Sequence, residues 1–138
     1  MVMVTVLGVQ PDDVKYAPAG LADTLRNGGA DLLVIHIAEG RRSDPKTRGE
    51  FAALEQQGWL TDRTAVIHGV ALTRADFAKM HAAGATLVWS PRSNMELYRE
   101  TANVADAAAE KVAIALAPDW SPTGSTNMLA ELKFAKHV

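Results

Sequence analysis

The sequence predicts an α/β domain of about five parallel strands with flanking helices. Three observations predict it. Short apolar, β-branched runs alternate with segments of helical spacing along the whole chain. Glycine and asparagine punctuate the boundaries between them. The apolar runs are continuous rather than alternating, as expected of strands buried in a parallel sheet. A chain of 138 residues suits one domain. Five strands and four connecting helices fit an open doubly wound sheet or an arc of a (β/α)₈ barrel, whose complete form needs about 250 residues.

The elements follow in order. Val2 to Val9 is β-branched and stops at Gln10-Pro11-Asp12, which reads as a strand followed by a loop. Ala19 to Asn27 carries Leu21 and Leu25 at helical spacing, and Asn27-Gly28-Gly29 ends it. Asp31 to Ala38 is a second strand, and Thr47 to Gln57 a helix with Phe51, Leu54 and Glu55 patterned around it, closed by Gly58. Ala65 to His68 is a third strand. Thr73 then caps a helix with Asp76 three residues on, and Gly84 ends it. Thr86 to Trp89 is a fourth strand, stopping at Ser90-Pro91 before a polar stretch. A short helix from Val104 to Ala109, a fifth strand from Val112 to Ala117 and a last helix from Asn127 to Lys136 complete the pattern.

Composition narrows the function. Fourteen basic against sixteen acidic residues leave a net charge of −2, with no electrostatic case for nucleic acid or an anionic membrane. With 48% hydrophobic and 22% charged residues the chain has the makings of a packed core, which argues against disorder. The absence of cysteine excludes a disulfide scaffold, a thiolate zinc site and a cysteine nucleophile, and fits a cytoplasmic protein. Apolar runs such as Leu32 to Ala38 fall far short of the roughly 20 residues that span a bilayer. The opening MVMVTVLGV has neither the basic region nor the cleavage site of a signal peptide.

Parallel α/β sheets gather functional groups at the carboxyl ends of their strands. Here those ends carry His36 and Glu39, then His68, then Arg92-Ser93-Asn94, then Asp119 and Trp120. A lone histidine in an apolar strand is usually a hydrogen-bonded core residue, and an aspartate after a strand usually a turn residue. The spacing weakens those bland readings. His36 and His68 are separated by about the 30 residues of a βαβ unit and Asp119 follows at the end of a later strand, which brings equivalent positions to one rim. Imidazole and carboxylate together suit a divalent metal and general acid–base work. His81, within a helix, and His137, at the terminus, take structural readings. No glycine-rich phosphate loop is present, since Gly28-Gly29 precedes a strand, which counts against a flavodoxin-like nucleotide binder.

The runs VIHIAEG, AVIHGVALTRADFAKMHAAGATLVWSPRSNMELY and VAIALAPDWSPTGSTNMLAELKFA resemble the metal-dependent amidohydrolase superfamily. The similar branch holds cytosine, guanine and S-adenosylhomocysteine deaminases and triazine hydrolases. The resemblance implies a partial (β/α)₈ barrel, strands four to eight, filling residues 1–138 as one partial domain. It implies a zinc or iron ion with His36 and Asp119 as ligands. Glu39 would then be the proton shuttle, His68 the group orienting water or oxyanion, and Asp119 also the general base. Arg92, Ser93, Asn94 and Trp120 would shape the pocket of a small-molecule substrate. The family's His-x-His motif is missing from this sequence, so the first three strands and the small β-domain are expected to be absent. No lysine ends the first strand, which disfavours a bridged two-metal site.

Two functions of different kinds follow. The first is a fragment of a C–N bond hydrolase working by metal-activated water, inactive as this chain alone. The second is a non-catalytic half-barrel module that forms homo-oligomers through its raw edges.

Overall fold

The computed structural model describes the backbone of residues 1–138 and all side chains but those of residues 11 and 12. In order along the chain it contains β1 (Met3–Val6), α1 (Pro11–Val14), α2 (Leu21–Arg26), β2 (Leu32–Ile37), α3 (Pro45–Gln56) and β3 (Thr64–His68). There follow α4 (Arg74–Ala83), β4 (Thr86–Trp89), α5 (Pro91–Tyr98), α6 (Val104–Ala109), β5 (Ala113–Leu116) and α7 (Met128–Ala135).

Local chemistry sets the boundaries. Asp44 caps α3, its carboxylate accepting from the Lys46 N–H at 2.9 Å, with Pro45 in the first turn where its missing N–H costs nothing. Thr73 and Asp76 form a reciprocal capping box on α4. Gly84 ends that helix in the left-handed region at φ 76°, a conformation that disfavours any residue with a Cβ.

All five strands pair in parallel, in the order β1-β2-β3-β4-β5. A doubly wound sheet would reverse its strand order at a switch point. The order here never reverses, so the sheet is an arc of a barrel. One face of it packs on the helices: Leu33, Ile35, Ile37, Val66 and Leu87 meet Leu25, Phe51, Leu54, Phe77 and Met80, each at most 2% exposed. The other face carries Leu32, Val34 and His36 of β2, which are only partly buried.

Three features depart from the sequence expectation. The polar stretch after Pro91 is helical, because proline after a strand starts α5 rather than preventing it. A short α1 stands where Gln10-Pro11-Asp12 suggested a loop. And β5 is exposed along most of its length, since it has β4 as its single neighbour. Its unbroken apolar run is therefore not matched by burial. Among the described residues, no helix is long and apolar enough to cross a membrane.

The core should respond as a packed one. Phe77→Ala, at a site with no exposure, is expected to cost about 3–5 kcal/mol. Thr73→Ala should cost about 1 kcal/mol. Urea denaturation will read both as lower midpoints at unchanged slope.

Candidate active site

Two histidines reach one rim because β2 and β3 run in parallel register, His36 opposite Ile67 and Ile37 opposite His68. His36 lies on the open face of the sheet. His68 is the last residue of β3 and turns the chain at φ 72°, a left-handed conformation uncommon outside glycine. Gly69 follows at φ 62°, where a Cβ would sit 2.8 Å from Leu87 Cδ1. Ala38, between His36 and Glu39, is also left-handed at φ 55°. Strained turns at both strand ends are a common mark of functional sites.

These turns bring three side chains together. Donor atoms of His36, Glu39 and His68 all lie within 4.8 Å of one another. The imidazole rings stack with centroids 5.2 Å apart, and Glu39 Oε1 is 3.5 Å from His68 Nε2. His68 is buried, whereas Glu39 keeps 28% exposure, so the cluster is open on one side. His68 Nδ1 is hydrogen-bonded to the Asn94 side-chain oxygen Oδ1 at 2.9 Å, and His36 Nδ1 is buried with no hydrogen-bond partner. Burial holds the pKa of His68 below its ordinary value, against the pull of Glu39.

Asp119 stands outside that group but within electrostatic reach of His68. Its Oδ2 accepts from Ser93 Oγ at 2.5 Å and its Oδ1 from the Trp120 N–H at 2.8 Å, which fixes the carboxylate plane. Ser93 and Asn94 have no exposed surface, and their polar groups are spent on Asp119 and His68. Arg92 turns to Ser125 Oγ at 2.8 Å and lies over the Phe134 ring. Trp120 is exposed. His81 is exposed on α4, with Nδ1 3.2 Å from the Lys111 carbonyl oxygen. A cavity of about 280 Å³ lined by Val14, Pro18, Leu21 and Trp59 shares no residue with the cluster.

Two residues were not singled out from the sequence. The Tyr98 hydroxyl donates to Glu39 Oε1 at 3.0 Å, and burial beside that carboxylate raises the phenol pKa. Glu50 on α3 accepts from the Ala38 N–H at 2.7 Å and from Gln10 Nε2 at 3.1 Å, so it braces the turn that presents Glu39. Burial raises the Glu50 pKa. An acidic residue on the helix after an HxxE turn was the available signal for Glu50. Tyr98 left none.

Comparison with known proteins finds relatives of this chain. No family model matches the chain. Over 110 residues it is 30% identical to the 5-methylthioadenosine/S-adenosylhomocysteine deaminase of Pyrococcus abyssi, an overlap that takes in 75% of this chain and 26% of the relative. It is 35% identical over 86 residues to the aminodeoxyfutalosine deaminase of Deinococcus radiodurans, covering 62% of this chain and 21% of the relative. In fold it matches a mutant atrazine chlorohydrolase of Arthrobacter aurescens, complexed with zinc and atraton, at a TM-score of 0.76. That match has 17% identity and covers 96% of this chain and 30% of the other. These homologues and structural neighbours are all enzymes of the amidohydrolase superfamily. The chain spans about a quarter of the length of the curated relatives it matches.

The donors present fit a divalent cation by their chemistry. Two imidazoles and a carboxylate converge, one buried imidazole nitrogen lacks a partner, and the His68 Nδ1 contact with Asn94 leaves its Nε2 on the side of the cluster.

Because the folded-state pKa of His68 is lowered from 6.5, the unfolded chain takes up the proton first. Stability from this group is fully present above pH 6.5 and is lost as pH falls through the folded value. Urea midpoints measured against pH should fall in that window, and His68→Asn should flatten the fall. Glu50→Ala would leave the buried Ala38 N–H unpaired and is expected to cost about 1–3 kcal/mol, with Glu50→Gln milder. Calorimetry of the two variants checks this.

Proposed function

We propose that this chain is part of a hydrolase that breaks a C–N bond at an amidine-like or amide carbon of a small molecule, using water at a divalent-metal site. The observation that carries the reading is the convergence of His36, Glu39 and His68 at the carboxyl ends of adjacent strands. The relatives' names as deaminases support the reaction class. The zinc of the chlorohydrolase supports zinc as the metal, with iron able to serve the same chemistry. His36 and Asp119 would hold the ion. Bound there, it would supply Lewis acidity, polarising the electrophilic carbon and making water acidic near pH 7.

The chain's own residues do the rest. Asp119, its plane fixed by Ser93 and the Trp120 N–H, accepts a proton from the attacking water. His68 offers its Nε2 lone pair to that water and so orients it. Glu39 first takes up a proton from solvent on its open side. As the new C–O bond forms and the C–N bond breaks, it delivers that proton to the departing nitrogen, which leaves as ammonia or an amine, and Asp119 returns its own proton to solvent. Arg92 and Trp120 would contact the substrate, with Ser93 and Asn94 shaping the pocket from behind. The reaction belongs in the cytoplasm. Residues 1–138 act as one partial barrel domain. A catalytic zinc ordinarily has three protein ligands, and His36 with Asp119 supplies two, so this chain alone should bind metal without turnover.

Elemental analysis of the purified chain tests the reading. About one zinc per chain is expected, lost in His36→Ala and in Asp119→Asn but kept in Glu39→Gln, with no ammonia released from purine nucleosides. No metal above background would contradict it. Metal kept in Asp119→Asn but lost in Glu39→Gln would move the ion to the His36–Glu39–His68 group.

A second reading is a non-catalytic module that self-associates. It is favoured by two unpaired edges, β1 and β5, and by Ile114, Leu129 and Leu132 at 39%, 71% and 52% exposure. Sedimentation velocity should then show a concentration-dependent dimer, and a strict monomer at high concentration would rule it out.

A further inference from the structure

The hydrogen bonds behind His68 form a continuous chain that ends on a group with only one possible role. The Trp89 indole N–H can donate and cannot accept, and it donates to Thr101 Oγ1 at 2.7 Å. The same oxygen takes the Asn94 Nδ2 at 3.3 Å. With its amide nitrogen committed to Thr101, Asn94 presents Oδ1 to His68, 2.9 Å from Nδ1. A carbonyl oxygen can only accept, so the proton of the neutral imidazole sits on Nδ1. Thr101 is itself gripped, because Arg42 donates to its backbone carbonyl and pairs with Glu100.

We propose that Asn94 is a positioning residue that locks His68 in the Nδ1–H tautomer, and that Thr101 and Trp89 hold its carboxamide in the orientation that does so. In water, histidine favours the opposite tautomer, with the proton on Nε2. Here that tautomer would aim its N–H at Glu39 Oε1, 3.5 Å away, closing the cluster on itself. With the proton on Nδ1, two acceptors face each other, the Nε2 lone pair and the Glu39 carboxylate. Such a pair sits together only around a shared proton, a hydrogen-bond donor or a cation. The Tyr98 hydroxyl already donates to that carboxylate oxygen, which eases the confrontation. The site is thereby held ready to receive a donor, and His68 meets it as an acceptor. That functional consequence rests on the hydrolytic reading given above. The tautomer itself does not, since it is a property of the metal-free chain.

Long-range ¹H–¹⁵N correlation spectra of the metal-free chain at a pH where His68 is neutral test the lock. The expected spectrum shows a protonated, pyrrole-like Nδ1 and an unprotonated, pyridine-like Nε2 for His68. Asn94→Asp, which keeps an acceptor in place, should retain that pattern, and Asn94→Leu should reverse it. Should the leucine variant not fold, Thr101→Val, which frees the carboxamide to turn, should yield a mixture of the two tautomers. A wild-type His68 carrying its proton on Nε2 would overturn the proposal, as would an unchanged pattern in the leucine variant or, in its place, in Thr101→Val. Failure of the hydrolytic reading would instead appear as absent zinc with the wild-type tautomer intact.

Discussion

The parallel register of β2 against β3 is the constraint on which the rest of the site depends. Two imidazoles separated by 32 positions in the chain stack because Ile37 pairs with His68 across the ladder. A slip by one residue would turn His36 into the helix-facing core and bring Ile35 or Ile37 to the open face. The helix-facing side chains Leu33, Ile35 and Ile37, none of them exposed, therefore do more than stabilise the sheet. Their burial fixes which face His36 occupies, and the left-handed turns at Ala38 and His68 then bring Glu39 and the second imidazole to it.

Gathering polar groups in this way is unfavourable unless each is answered. The fold answers them from behind the rim. Asn94 partners His68 Nδ1, Ser93 and a backbone amide donate to the Asp119 oxygens, Tyr98 donates to Glu39, and Glu50 accepts from the Ala38 amide. Most of these supports come from α5, a helix with two fully buried polar residues, Ser93 and Asn94. They leave the opposite sides of the imidazoles and carboxylates turned toward the open face. The unpartnered His36 Nδ1 is the one place in the cluster where a buried polar atom goes unanswered.

Much of this was legible in the sequence because it follows from local rules. The Thr73–Asp76 capping box, the terminating Gly84 and the strand from Thr86 to Trp89 each lie where their chemistry indicates. So does the gathering of His36, Glu39 and His68, since carboxyl ends of parallel strands share a rim. What was hidden depends on tertiary context. Ser93 and Asn94 read as loop because polar residues after Ser-Pro ordinarily face solvent, whereas here they are buried against other polar groups. Tyr98 meets Glu39 across 59 positions, a separation at which no periodicity operates. β5 has the apolar sequence of a covered strand, and its exposure follows from its place at the edge of the arc rather than from anything in its residues.

The most direct test of the central claim is whether the two imidazoles stand together in the metal-free chain. Nuclear Overhauser contacts between the ring protons of His36 and His68, assigned with His36→Ala as reference, measure this. Ring centroids 5.2 Å apart predict a clear cross-peak between the two side chains. Its absence in the folded chain would contradict the register, the turn at His68 and the site built on them.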